Sequence, residues 1–143
     1  MLLLAGVAAG VTYLVQGPPE REIACDPEAM EPGYICYSQL EELGDFLWVD
    51  ARKRAQWERD GMPGSVLLTD DPAEDWEALF AEAASSIVMA DAVVVYCDTE
   101  ACGSSEPVAR KIKETGIMMN PLNVFILYGG ARALPPRDSS QRN

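Results

Sequence analysis

A chain of 143 residues, 48% hydrophobic, 24% charged and 8% aromatic, has room for one domain with a real core and hardly for two. Eleven Lys and Arg against 23 Asp and Glu leave a net charge of −12, so nucleic acid and anionic lipid are poor partners for the body of the protein. With no histidine in the sequence, a Ser-His-Asp triad and an imidazole-bound zinc are excluded, and chemistry falls to carboxylates, hydroxyls, backbone and four cysteines.

The charge is uneven. Residues 20–106 carry 21 acidic and five basic side chains, a net of −16, whereas residues 107–143 carry six basic and two acidic, a net of +4. A solvated acidic surface that keeps the protein soluble explains most of this.

Residues 1–19 (MLLLAGVAAGVTYLVQGPP) bear no charge. As a helix, residues 1–15 would reach roughly 22 Å at about 1.5 Å per residue, short of a bilayer core of about 30 Å. No Lys or Arg precedes Arg21 to serve as the basic start of a signal peptide. The expectation is an export signal or a membrane tether through residues 1–16, which puts the domain on the bacterial periplasmic side. The competing reading is a short buried helix in a cytoplasmic protein. Gly17-Pro18-Pro19 then ends the segment as a stiff spacer.

Cys25 and Cys36 bracket a turn-rich stretch, CDPEAMEPGYIC. In an exported protein a disulfide between them would add about 2–3 kcal/mol through loop closure. In a reducing compartment they are two free thiols, and both readings stay open. The cysteine spacings do not suit a four-cysteine zinc site.

Ser38-Gln39-Leu40-Glu41 has the form of a capping box and predicts a short helix over 38–43, stopped by Gly44. The apolar run 46–49 predicts a buried strand ending at Asp50. Residues 51–60 are charged and predict a helical turn with Trp57 inward. A Gly-Met-Pro-Gly turn over 61–64 and a short strand over 65–68 follow. Asp71 as cap and Pro72 at the first position open the next helix. Trp76, Leu79, Phe80 and Ala83 form its apolar face. Ala92-Val93-Val94-Val95-Tyr96 is the strongest strand signal, terminated by Cys97 and a polar loop over 98–104. A helix over 105–115, with Pro107 in its first turn and Gly116 at its end, leads to a buried strand over 124–128 closed by Gly129-Gly130. The tail after Leu134 is expected to be disordered.

Buried strands alternating with helices predict a small α/β domain around a mostly parallel sheet. Reactive groups of such sheets lie at the carboxyl ends of strands. Cys97 is at that position, and the loop after it runs into a helix N-terminus whose amides and dipole favour an anion and lower a thiol pKa.

Taken together, these pieces resemble the rhodanese (sulfurtransferase) homology domain. Leu47-Trp48-Val49-Asp50-Ala51-Arg52 looks like that family's strand ending in Asp-x-Arg, and Gln56-Trp57 stands where a Glu-aromatic pair is usual. Asp60-Gly61-Met62-Pro63-Gly64-Ser65 stands where Gly-His-Ile-Pro-Gly-Ala is usual. Val94-Val95-Tyr96-Cys97 looks like the strand that delivers the reactive cysteine. Ser105, Ala109 and Ile112 are similar to the helix that follows, and 123–130 to the closing strand and glycine pair. The likeness runs over 37–134, which leaves 1–19 as the hydrophobic segment with its Pro linker, 20–36 as a connector and 135–143 as the tail.

The resemblance implies that Cys97 takes sulfane sulfur from a small donor such as thiosulfate, holds it as a persulfide and passes it to a thiol or cyanide-like acceptor, with no cofactor. It also implies that the loop residues Asp98, Thr99, Glu100, Ala101, Gly103 and Ser104 cradle the donor. Asp50 and Arg52 would be structural, Arg52 near the loop mouth. This loop, CDTEACGSS, departs from the family pattern: it is about two residues longer and has no Arg or Lys. Asp98 and Glu100 would repel thiosulfate and raise the thiol pKa. The family's His is Gly61, and a second cysteine, Cys102, lies inside the loop. The chain thus resembles an extended, two-cysteine subtype. Cys102 is a resolving thiol, the sulfur carrier itself, or incidental. The alternative function is a catalytically silent module that binds a redox protein or senses redox state through a Cys97–Cys102 disulfide. A tyrosine-phosphatase-like reading needs Arg six residues after the cysteine, and those positions are Gly103 and Val108.

Overall fold

The computed structural model describes residues 24–99 and 103–135. The five strands are β1 (Tyr34–Ile35), β2 (Phe46–Asp50), β3 (Val66–Leu67), β4 (Ala92–Tyr96) and β5 (Val124–Leu127). They form one sheet in the order β1-β5-β4-β2-β3, with every pairing parallel. The helices are α1 (Arg54–Asp60), α2 (Trp76–Met89) and α3 (Ser105–Glu114).

β4 is central because its sequence fits no other place. All five of its residues are buried, and an uninterrupted β-branched run suits a strand covered on both faces. The period of two divides it between two cores. Val93 and Val95 pack with Leu79, Ala83 and Ile87 of α2 and Val108, Ala109 and Ile112 of α3. Val94 and Tyr96 face the other side, with Ile35, Leu40 and Leu127. Burying each large aliphatic side chain contributes about 1.5–3 kcal/mol.

Register then sets the rim. Phe46 to Asp50 pair in order with Ala92 to Tyr96, and Val93 to Val95 with Val124 to Ile126. The carboxyl ends of β2, β4 and β5 therefore lie side by side at Asp50, Tyr96 and Leu127.

Several local expectations shift. Residues Tyr37–Leu43 form a 3-10 helix rather than an α-helix, and the strand over 65–68 shortens to Val66–Leu67. α2 begins one turn later than Asp71-Pro72 suggests. Asp75 is its cap, accepting hydrogen bonds from the amides of Glu77 and Ala78 at 3.0 and 3.4 Å. Asp71 closes the preceding turn, accepting from the Ala73 amide at 3.1 Å. Both aspartates are competent caps, and the one adjoining the first apolar residue, Trp76, starts the helix. The connector holds β1, which was not expected because two residues show no periodicity. Cys25 and Cys36 are joined in a disulfide, Cα–Cα 5.8 Å, which secures this edge. The expected anchor over 1–19 lies outside the described residues. Among the described residues no helix is long and apolar enough to cross a membrane.

Candidate active site

Three strand ends are tied together first through the backbone. The Ala51 amide donates to the Tyr96 carbonyl at 2.9 Å, and the Leu68 amide to the Asp50 carbonyl at 3.0 Å. Below them sits a buried polar chain. The Met62 amide donates to the Tyr96 hydroxyl at 3.0 Å, and that hydroxyl donates to Asp50 Oδ2 at 2.8 Å. Asp50, with no exposed surface, also accepts from the Arg52 amide at 2.9 Å and from Arg52 Nη2 at 2.8 Å. A buried carboxylate is tolerated because donors surround it. Burial, helped by the Asp50 charge and against the Met62 hydrogen bond, pushes the Tyr96 phenol up to about 12.

Arg52 is the hub. Besides Asp50, its Nη2 meets Asp60 at 2.8 Å and its Nη1 meets Asp98 at 3.5 Å. Burial works to lower its pKa, but hydrogen bonds and charge from Asp50, with the Asp60 hydrogen bond, outweigh that and raise it. The same pairing holds Asp60 below the usual carboxylate range, although desolvation acts the other way. Gln56, from the first turn of α1, donates from Nε2 to Asp98 Oδ2 at 2.7 Å. Asp98, the first loop residue, is thus held by Gln56 and Arg52 together.

Cys97 follows β4 directly and is buried, 3% exposed. Its carbonyl oxygen accepts from the Ala131 amide at 2.6 Å. Gly130, at φ +60°, lies so close that a Cβ there would overlap that oxygen. Gly130 is therefore the mould against which the start of the loop is pressed. Cys97 is disulfide-bonded. Cys25 and Cys36 are paired with each other.

Cys97 opens on a cavity of about 720 Å³, lined by Ala51, Arg52, Lys53 and Gln56, by Thr69, Asp70, Asp71 and Pro72, and by Cys97, Asp98, Thr99 and Ser104. Of the residues expected from the sequence, Arg52, Cys97, Asp98, Thr99 and Ser104 come together here. Gly103 lines a second, smaller cavity of about 180 Å³, with Thr99, Ser105 and Glu106. Glu100, Ala101 and Cys102 lie outside the described residues. Gln56, Thr69, Asp70 and Asp71 were not expected in the site. The last three follow the carboxyl end of β3, so the strand-end rule that singled out Cys97 applies to them too.

Cys97 is buried beside a cavity walled by hydrogen-bonding groups, and the guanidinium that lines it, Arg52, is already matched by carboxylates. A family model for the rhodanese-like domain matches residues 36–134. No curated protein matches the chain. Among solved structures, the N-terminal domain of a protein from Clostridium difficile 630 described as ATP/GTP binding is similar at 18% identity. That match covers 70% of this chain and 94% of that one, with a TM-score of 0.45. The family match extends over more than half of the chain, from Cys36 beside β1 through the cysteine-bearing strand to the glycine turn, and the chain belongs to the rhodanese-like domain family.

Proposed function

We propose that this domain is a sulfurtransferase that carries sulfane sulfur on Cys97. The observation that supports this reading is the position of Cys97. It ends the central parallel strand, its carbonyl is fixed by Ala131, and it adjoins a cavity of about 720 Å³ at the strand-end rim. Two electrons from a dithiol reductant first open the Cys97 disulfide. The Cys97 thiolate then attacks the outer sulfur of a donor R–S–S⁻ or thiosulfate. The donor's S–S bond breaks, its electron pair leaves on the thiolate or sulfite, and a Cys97–S–S⁻ persulfide forms. An acceptor thiolate or cyanide attacks that outer sulfur, and the Cys97 thiolate returns.

Intact mass spectrometry of the reduced protein, before and after thiosulfate or an alkyl persulfide, tests the reading. The expected result is a gain of one sulfur atom, lost on adding cyanide and absent in Cys97→Ser. Gain in Cys97→Ser with loss in Cys102→Ser would move the carrier to Cys102. No gain with any donor would end the sulfurtransferase reading.

A second reading has its own support, the oxidised state of Cys97. In it the domain is a redox-responsive binding module whose loop changes with the Cys97–Cys102 pair, and a redox protein is its partner. Export or membrane tethering through residues 1–19 is part of either proposal. The Cys25–Cys36 disulfide supports it, because such bonds persist in oxidising compartments. Cell fractionation with peptide mapping of the pair tests it: cytosolic protein with free thiols would overturn it.

A further inference from the structure

We infer that the Cys97 cavity selects a sulfur donor that is cationic or uncharged, such as an aminothiol persulfide, over an oxyanion such as thiosulfate. The inference rests on the reading of Cys97 as the sulfur-accepting atom. Its basis is the charge around the cavity. Two cations line it, Arg52 and Lys53, against Asp70, Asp71 and Asp98. The buried cation of the two, Arg52, with 4% of its side chain exposed, is engaged by Asp50, Asp60 and Asp98. A guanidinium matched by three carboxylates leaves no net positive field for a dianion. The exposed Lys53 lines the same cavity as Asp70 and Asp71. Among the described residues, the cavity lining itself carries three carboxylates and two cations, and two further carboxylates, Asp50 and Asp60, hold Arg52 from outside it, Asp60 being shared with Arg59.

The geometry explains why Asp70 and Asp71 belong to the selection. Both follow the carboxyl end of β3, which pairs with β2 so that Leu67 lies beside Asp50. The β3 and β4 ends thus flank Arg52, and the acidic pair forms the wall opposite the Cys97 loop. Asp71 is kept in place by its own turn, receiving the Ala73 amide at 3.1 Å and giving its amide to Thr69 Oγ1 at 3.2 Å. An Asn at either position keeps the shape and the hydrogen-bond acceptor and removes the charge. Clefts lined by one sign of charge raise the local concentration of the opposite sign by factors of about 10–1,000, and a cavity of mixed lining with an acidic excess falls toward the lower end.

For the preferred donor the transfer balances without an outside oxidant. In ⁺H₃N–CH₂–CH₂–S–S⁻ plus Cys97–S⁻, the thiolate attacks the terminal sulfur. The donor S–S bond breaks, and the leaving electron pair becomes the aminothiolate, which takes a proton from solvent. Cys97 keeps the sulfane sulfur.

The test uses two thiol reagents of matched size and opposite charge, a trimethylammonium and a sulfonate methanethiosulfonate. With either, the Cys97 thiolate attacks the reagent sulfur, forms a mixed disulfide and expels methanesulfinate. The full chain carrying Cys102→Ser is reduced, and labelling at Cys97 is followed by peptide mass. Rates are normalised to those of a neutral free thiol. The expected preference for the cation is about tenfold or more at low salt. It should shrink several-fold in Asp70→Asn with Asp71→Asn, and also near 1 M salt, where the screening length is about 3 Å. A normalised ratio at or below one overturns the inference, as does a preference that survives both neutralisation and salt. Because the salt arm uses native Asp70 and Asp71, it stands even if the double variant fails to fold. Labelling needs no sulfur transfer, so the two proposals fail separately. A cationic preference with no persulfide from any donor sinks only the transferase. Thiosulfate loading as fast as the aminothiol persulfide sinks only the selection.

Discussion

Gly130 and Cys97 meet across the rim of the sheet with no room between them. A Cβ on Gly130 would overlap the Cys97 carbonyl oxygen and lie 2.9 Å from the Asp98 carbonyl carbon and from the Thr99 amide nitrogen. All three are backbone atoms, so no side chain can swing aside. The turn after β5 thereby fixes the first residues of a loop 33 positions earlier in the sequence, and Ala131 completes the contact through its amide.

Gly130→Ala should therefore cost more than glycine-to-alanine at an ordinary left-handed turn. Gly116 supplies the comparison, with φ +68° and open space where its Cβ would be. The strain alone, shared by both, costs about 1–2 kcal/mol. Gly130→Ala adds a backbone clash, and the expected loss is about 2–4 kcal/mol. Urea denaturation of both variants measures the difference, and equal losses would refute the moulding role. Gly130→Ala should also lower persulfide loading in the fraction that stays folded.

Gln56 donates to Asp98 at 2.7 Å. Gln56→Glu would place two carboxylates in contact and push the loop's first side chain away from α1. Alkylation of Cys97 in the reduced protein should slow several-fold, with its pH midpoint moved upward by the added charge. Adding Asp98→Asn restores a donor facing an acceptor and should recover most of the rate. An unrecovered double variant would show that Gln56 acts through α1 rather than through Asp98.

The central architecture was legible because it rests on strong local signals. Ala92–Tyr96 reads as a core strand from composition alone, and once it is central, Cys97 must lie on the rim. The ordered motifs from Asp50-x-Arg52 to Gly129-Gly130 then supply the rest of the frame. Contacts that depend on non-local partners were not legible. β1 exists by pairing with β5, and its two residues carry no period. The start of α2 was decided between two competent aspartate caps by tertiary packing of Trp76. The roles of Gln56, Asp70 and Asp71 depend on how three crossovers converge, and the spacing of residues along one chain does not encode that.

The Cys25–Cys36 bridge closes a short loop of sequence separation 11 and secures β1, which holds its edge with two residues. Replacing both cysteines with serine should cost about 2–3 kcal/mol. The loss should concentrate at the β1–β5 edge, where the Tyr128 amide donates to the Ile35 carbonyl at 3.0 Å. Hydrogen exchange tests this: the Tyr128 amide should lose protection while β4 amides keep theirs. Uniform loss would mean the bridge stabilises the whole fold rather than its edge.

Tyr96 makes the stability of the fold sensitive to alkali. Its phenol titrates near 12, above the ordinary 10.0, chiefly because burial disfavours the phenolate. A group with a raised folded pKa binds its proton more tightly in the native state. Its contribution is therefore fully present below about pH 10 and is lost as pH rises toward 12. Two pH units correspond to about 2–3 kcal/mol. Tyr96→Phe removes this alkaline loss, but it takes a donor from Asp50 and an acceptor from the Met62 amide, costing about 1–3 kcal/mol near neutrality. The stability gap between wild type and Tyr96→Phe should thus be widest near neutral pH and narrow as the solution becomes strongly alkaline. Denaturation series at several pH values measure it directly. A gap that stays constant would mean that Tyr96 ionises in the folded protein as easily as in the unfolded chain, and that the Met62–Tyr96–Asp50 chain does not hold the proton.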